Sequence, residues 1–183
     1  MKDANSPRTL PSLLNLQKYK CCAISLCYNS LTKMSQLQKI FRFSAQNLNG
    51  STRYLYSINP FNNQGWNFNG LAFQTPTSSD PEASTINQLH FAQPEGWRFL
   101  YDFSTSSQGW TLDGPCFSAY RNQSQYSSPI FRYHQVLPDG GWNFFYSTSR
   151  TATSRLGSGW SLDGAVFFGY AGSVQWFLWT SPI

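Results

Sequence analysis

Three Gly-Trp pairs, each with Asn or Asp three residues beyond the tryptophan, are the first groups in this chain with the means to do chemistry. They are Gly65-Trp66-Asn67-Phe68-Asn69-Gly70, Gly109-Trp110-Thr111-Leu112-Asp113-Gly114 and Gly159-Trp160-Ser161-Leu162-Asp163-Gly164. An indole offers a flat apolar face that can stack on the C–H side of a sugar ring or fill a core. Asp113 and Asp163 are candidates for the paired carboxylates of glycoside hydrolysis. The first copy carries Asn69 in their place, and an amide is neither an acid nor a base. All three precede glycine between apolar segments, where Asn-Gly and Asp-Gly form tight hairpin turns, so turn chemistry outweighs catalysis.

Two further tryptophans differ in kind. Trp97 and Trp142 sit in loop-like stretches, Pro94-Glu95-Gly96-Trp97 and Pro138-Asp139-Gly140-Gly141-Trp142, while the first copy has Thr52 there. A residue needed only for the fold should recur in every copy, so these two are candidates for surface binding. Arg98 and Asn143 follow them, Arg53 follows Thr52, and these three side chains supply hydrogen-bonding groups for hydroxyls. A pairing of Arg42, His90 or Arg132 with Asn69, Asp113 or Asp163 within each copy would be either a structural clamp or part of a sugar site. The two histidines and the scattered cysteines have no metal-ligand spacing, no glycine-rich phosphate loop is present, and no nucleophile–base arrangement is recognisable. The expectation is therefore a non-enzymatic protein with no cofactor.

The elements that must position these residues form an internal repeat of about 45 residues. Each copy opens with a short alternating run: Phe41-Arg42-Phe43, Leu89-His90-Phe91 and Phe131-Arg132-Tyr133. Alternation places apolar side chains on one face and a basic one on the other. A second run, Arg53-Tyr54-Leu55-Tyr56, Arg98-Phe99-Leu100-Tyr101 or Asn143-Phe144-Phe145-Tyr146, is apolar on both faces, as suits a strand buried on both sides. Its closing tyrosines recur at intervals of 45 and 45 residues. The Gly-Trp segment and a last aromatic strand complete the copy. Four strands per copy and about twelve in total are predicted.

Composition agrees. Aromatic residues make up 17% of the chain and charged residues 11%, against a usual charged share of about 25%, which favours pleated, half-buried surfaces and an all-β fold. The net charge of +5 is concentrated upstream: residues 1–33 carry Lys2, Arg8, Lys18, Lys20 and Lys33 against Asp3 alone. The repeats are nearly neutral, which argues against a nucleic-acid partner, whose binding needs a basic stripe on the folded domain. Cys21, Cys22 and Cys27 lie upstream and only Cys116 lies in the repeats, so no disulfide framework is expected. No apolar run reaches the roughly 18 residues of a membrane span.

Residues 1–33 read as a basic, poorly ordered or non-native extension upstream of a start at Met34, and residues 34–183 as one all-β domain with copies at 40–86, 87–129 and 130–176. Three copies of this length fit a β-trefoil, with an unfamiliar three-fold barrel or an oligomeric propeller as alternatives. Val174 to Trp179 would add a closing strand. Homo-oligomerisation stays open, as does location: secreted, or cytoplasmic with non-classical release. The sequons at Asn49 and Asn122 matter only on the secretory route.

The third copy, with Ile130-Phe131-Arg132-Tyr133, Phe145-Tyr146-Ser147-Thr148-Ser149 and Gly159-Trp160-Ser161-Leu162-Asp163-Gly164, resembles an aromatic repeat module of uncharacterised function. That module occurs in fungal proteins and as an accessory unit on bacterial cell-wall hydrolases. Its histidine is replaced here by Tyr54, Phe99 and Phe144. Gln64-Gly65-Trp66 and Gln108-Gly109-Trp110 also resemble the Gln-x-Trp of ricin-type β-trefoil lectins. Both resemblances imply binding to glycans or cell-wall polysaccharide. The expectation is a lectin-like protein with up to three related shallow sites, built from Trp97, Trp142, Arg53, Arg98, Asn143, Trp66, Trp110, Trp160, Asn69, Asp113 and Asp163. A structural or protein-interaction module is the alternative.

Overall fold

A computed structural model describes residues 37–47, 50–61, 65–93 and 96–172. Contacts divide the chain into residues 1–36 and 37–183, and every described residue lies in the second unit. The basic extension 1–33 and the expected strand from Val174 to Trp179 fall outside the described residues.

Among these, nine strands follow in order: β1 (Leu37–Gln46), β2 (Thr52–Ser57), β3 (Asn67–Pro76), β4 (Ser84–Phe91), β5 (Arg98–Asp102), β6 (Thr111–Ala119), β7 (Ser128–Val136), β8 (Trp142–Ser147) and β9 (Trp160–Ala171). One helical turn, α1 (Thr153–Leu156), precedes β9. Each copy is an antiparallel three-stranded unit with its first strand in the middle: β2-β1-β3, β5-β4-β6 and β8-β7-β9. β3 and β9 meet at Phe73↔Ala171 and Gln74↔Tyr170, which joins copies one and three into a six-stranded sheet. Copy two forms a separate three-stranded sheet. The all-β expectation holds, with three strands per copy in place of four. The closed barrel of a β-trefoil is not seen among the described residues.

The missing fourth strand has a local cause. Asn69-Gly70, Asp113-Gly114 and Asp163-Gly164 do not turn the chain; they lie inside β3, β6 and β9. Gly114 faces Gln88 while Leu112 faces Leu89, so Asp113 is an extra residue, and the same shift isolates Asp163 between Gly164 opposite Arg132 and Leu162 opposite Tyr133. Asn69 falls in the matching shift of the first copy. These are β-bulges. The following glycines take φ of 89°, 124° and 122°, which side-chain-bearing residues rarely adopt. The conformational freedom that licenses a hairpin at Asp-Gly also licenses a bulge, and the strand continues because apolar residues on both sides still pair.

The core is built in aromatic triplets. The second strands, β2, β5 and β8, come together at the centre, and β5 is buried along Arg98, Phe99, Leu100 and Tyr101. Each is an edge strand whose outward N–H and C=O groups need partners. The tyrosines supply them in a cycle. The Tyr56 N–H donates to the Tyr101 hydroxyl at 2.8 Å, and that hydroxyl donates to the Tyr56 carbonyl at 3.0 Å. Tyr146 serves Tyr101 in the same way at 2.9 and 3.1 Å, and Tyr56 serves Tyr146 at 2.8 and 2.9 Å. The rings meet edge to face at 5.4–5.6 Å.

Beneath them, Phe73, Phe117 and Phe167 form a second triangle with centroids 5.9–6.2 Å apart, each stacked on the tyrosine of its own copy. Ile40, Ile86 and Ile130, all fully buried, join the same core. Burial of each such side chain is worth about 1.5–3 kcal/mol, and truncating Phe117 to alanine would cost about 3–5 kcal/mol through the cavity left behind.

Candidate functional site

The bulges aim the acidic side chains back across the sheet. His90 Nδ1 donates to Asp113 Oδ1 at 2.5 Å, and Gln88 Nε2 donates to Oδ2 at 2.8 Å. In copy three, His134 Nδ1 donates to Asp163 Oδ1, and Arg132 Nε donates to Oδ2 at 2.7 Å. A carboxylate only accepts, so Nδ1 carries the proton in both histidines. Each imidazole then backs a tryptophan: His90 stacks on Trp97 with centroids 4.7 Å apart and planes 13° from parallel, and His134 on Trp142 at 5.3 Å and 25°. Trp97 is 53% and Trp142 is 49% exposed, so one indole face is supported and a large part of each ring is open.

The first copy lacks this unit at all three positions. Register with the second strand pairs Ser44 with Tyr54, His90 with Phe99 and His134 with Phe144, so Ser44 stands where the other copies have histidine. Asn69 replaces the aspartate and Thr52 the tryptophan. The expected grouping of His90 with Arg42 and Arg132 is corrected by the same register. Gln88 faces Tyr101 as Arg42 faces Tyr56 and Arg132 faces Tyr146. Gln88 stands 13 residues before its tyrosine where the arginines stand 14, and this shorter connection misaligned the aromatic pattern.

The remaining candidates hold copies together. Arg53 Nη1 donates to the Trp97 carbonyl at 3.4 Å, Arg98 Nη2 pairs with the Asp139 carboxylate, and Asn143 Nδ2 donates to the Thr52 carbonyl at 3.1 Å. Each side chain therefore reaches from its own copy into the loop of the next. Arg98 and Asn143 are 1% exposed, which removes them from the open surface on which sugar contacts were expected. A Cβ on Gly96 would lie 1.6 Å from Arg53 Nη1, and one on Gly141 would lie 1.5 Å from Arg98 Nη1. Where the shorter Asn143 takes the arginine's place, the glycine's place is taken by Ser51. The Arg98 guanidinium, followed by the Gly141 N–H, holds the Asp139 carboxyl below its ordinary pKa.

Trp66, Trp110 and Trp160 pack across the boundaries between copies, on Phe99, Phe144 and Tyr54 at 5.8, 5.7 and 6.0 Å. Arg53 covers the Trp66 ring at 4.9 Å. All three are partly buried against the core.

Of the clefts that open at these boundaries, two share equivalent lining positions. The one between copies two and three, about 270 Å³, has Phe144, Trp110 and Trp142 as its apolar walls. Its polar side holds Arg132, Asp102 and the hydroxyls of Ser104, Ser106 and Ser107. Arg132 Nη1 lies 3.6 Å from Asp102 Oδ2, so its charge is balanced by Asp102 and Asp163 together. The cleft between copies three and one, about 300 Å³, is lined at the matching positions by Arg42, Thr52, Tyr54, Phe145 and Ser147, and also by Asn69. Sequence reasoning missed His134 and Asp102 as parts of a site. The signal was present in the spacing from the core isoleucines, which places Ser44, His90 and His134 four residues after Ile40, Ile86 and Ile130.

Among the described residues no cluster of His, Cys, Asp and Glu suits a metal ion, and no helix is long and apolar enough to cross a membrane. Comparison with protein-family models, curated proteins and solved structures finds no match to the chain.

Proposed function

We propose that this protein is a lectin-like carbohydrate-binding protein whose principal site is the cleft between copies two and three. The observation that carries the reading is Trp142: an indole half open to solvent, fixed from behind by His134, with its carboxylate-bound neighbour Arg132 in the same cleft. A tryptophan held in place loses little freedom when a ligand stacks on it, so its apolar face is available at low entropic cost. Arg132, Asp102 and three serines beside it offer both donors and acceptors, which is what a ring of hydroxyls requires. Trp97 on His90 repeats the platform in copy two, so the natural ligand is a glycan or cell-wall polysaccharide engaged at two places. Titration of the full chain with oligosaccharides, followed by tryptophan fluorescence, tests this. Saturable quenching lost in Trp142→Ala is expected. Unchanged binding in that variant would remove the site from this cleft.

A further inference from the structure

The cleft between copies three and one differs from its counterpart in charge, and the difference is built residue by residue. At the boundary of copies two and three, Arg132 faces two carboxylates, Asp163 on its bulge and Asp102 at the end of β5. At the boundary of copies three and one, Arg42 occupies the matching place on β1, while Asn69 stands for the bulge aspartate and Ser147 for Asp102. Both acids have been replaced at once. Arg42 forms none of the ion pairs among the described residues, and its buried Nε has no hydrogen-bond partner. It lies 4.9 Å over the Phe145 ring, which fixes the guanidinium without neutralising it. A second cation, Arg155 on α1, lines the same cleft, and among the described residues this lining includes no acidic side chain.

From this juxtaposition we infer that the cleft is an oxyanion site, which takes a carboxylate or sulfate carried on a hydroxyl-rich ligand such as an acidic sugar. A guanidinium stripped of its protein carboxylates is matched to an incoming planar or tetrahedral oxyanion by its fork of donors. Ser44, Thr52, Tyr54 and Ser149 surround it with hydroxyls. Burial, opposed by the Arg42 charge, raises the Tyr54 phenol, so it remains a neutral donor at physiological pH. The site is separate from the Trp142 cleft, and failure of sugar binding at Trp142 leaves it standing.

The test is calorimetric titration of the full chain with glucuronate, glucose 6-sulfate and glucose. At least one anionic probe should bind with a dissociation constant ten-fold or more below that of glucose, and the tighter of the two names the oxyanion. Ser147→Asp and Asn69→Asp restore the acids that Arg132 faces in the other cleft, and each should weaken the anion ten-fold or more. Neither should disturb the fold. Ser147 Oγ accepts the Ser149 N–H at 3.1 Å, and Asp102 already makes the same turn by accepting the Ser104 N–H at 2.9 Å. Melting temperatures equal to wild type would establish that. Equal binding of glucose and both anions, or anion binding unchanged in both variants and in Arg42→Gln, would overturn the inference.

Discussion

Replacing Tyr101 by phenylalanine removes a single oxygen from the centre of the molecule and leaves the ring stacked on Phe117 at 5.9 Å. That oxygen serves both the N–H and the C=O of Tyr56, on the free edge of β2, where Tyr56 is 1% exposed. No water replaces it in a packed aromatic triangle. Each buried group left without a partner costs about 1–3 kcal/mol, so the variant should lose roughly 3–4 kcal/mol. For a chain of this size one kcal/mol moves the melting temperature by about 2–4 °C, and a fall on the order of 10 °C follows. Thermal melts by circular dichroism measure it, with Tyr56→Phe and Tyr146→Phe as internal replicas, because the three hydroxyls do the same work on three backbones. A fall below about 2 °C in all three, against that estimate, would refute the claim that the tyrosine cycle closes the sheet edges.

The same triangle makes the fold sensitive to alkali. Burial, followed by lesser charge and hydrogen-bond effects, raises the phenols of Tyr56, Tyr101 and Tyr146 above the ordinary range. The folded state keeps three protons that the unfolded chain releases near pH 10, so stability is full below that pH and falls above it by about 1.4 kcal/mol per pH unit per tyrosine. Denaturant melts between pH 8 and 11 should show a flat region and then a steep loss; a flat profile throughout would be inconsistent with burial. Cys116 has its thiol pushed up to about 12 by burial and then by the Asp113 charge. Alkylation at pH 8, followed by peptide mass spectrometry, should be about a thousand-fold slower in the native protein than after denaturation. Gly141→Ala should cost about 1–3 kcal/mol because its Cβ would collide with Arg98. Combining it with Arg98→Asn, in imitation of Asn143 opposite Ser51, should recover part of that loss, and strictly additive energies would deny the contact.

Much of the fold is legible in the sequence because its driving forces are periodic. The 45-residue recurrence of Tyr56, Tyr101 and Tyr146 marks the central strands, and their two-sided apolar pattern matches burial on both faces of β5. Asp113-Gly114 misleads because dihedral preference alone does not distinguish a hairpin from a bulge; pairing of the flanking residues across β4 decides it. At the candidate site, the absence of Trp97 and Trp142 from copy one is a readable signal. Their stacking on His90 and His134 is not, since it depends on a register that the shorter connection in copy two conceals. Arg98 and Asn143 read as polar surface residues, yet they are buried, because hydropathy carries no information about a neighbouring copy's carboxylate or carbonyl.

The most direct test of the carbohydrate reading is a glycan array probed with the full chain and with Trp142→Ala, each first shown to melt at the same temperature. Binding to a defined set of glycans that disappears in Trp142→Ala is the predicted result. An array on which the well-folded wild-type chain binds nothing, or on which both proteins bind identically, would contradict it.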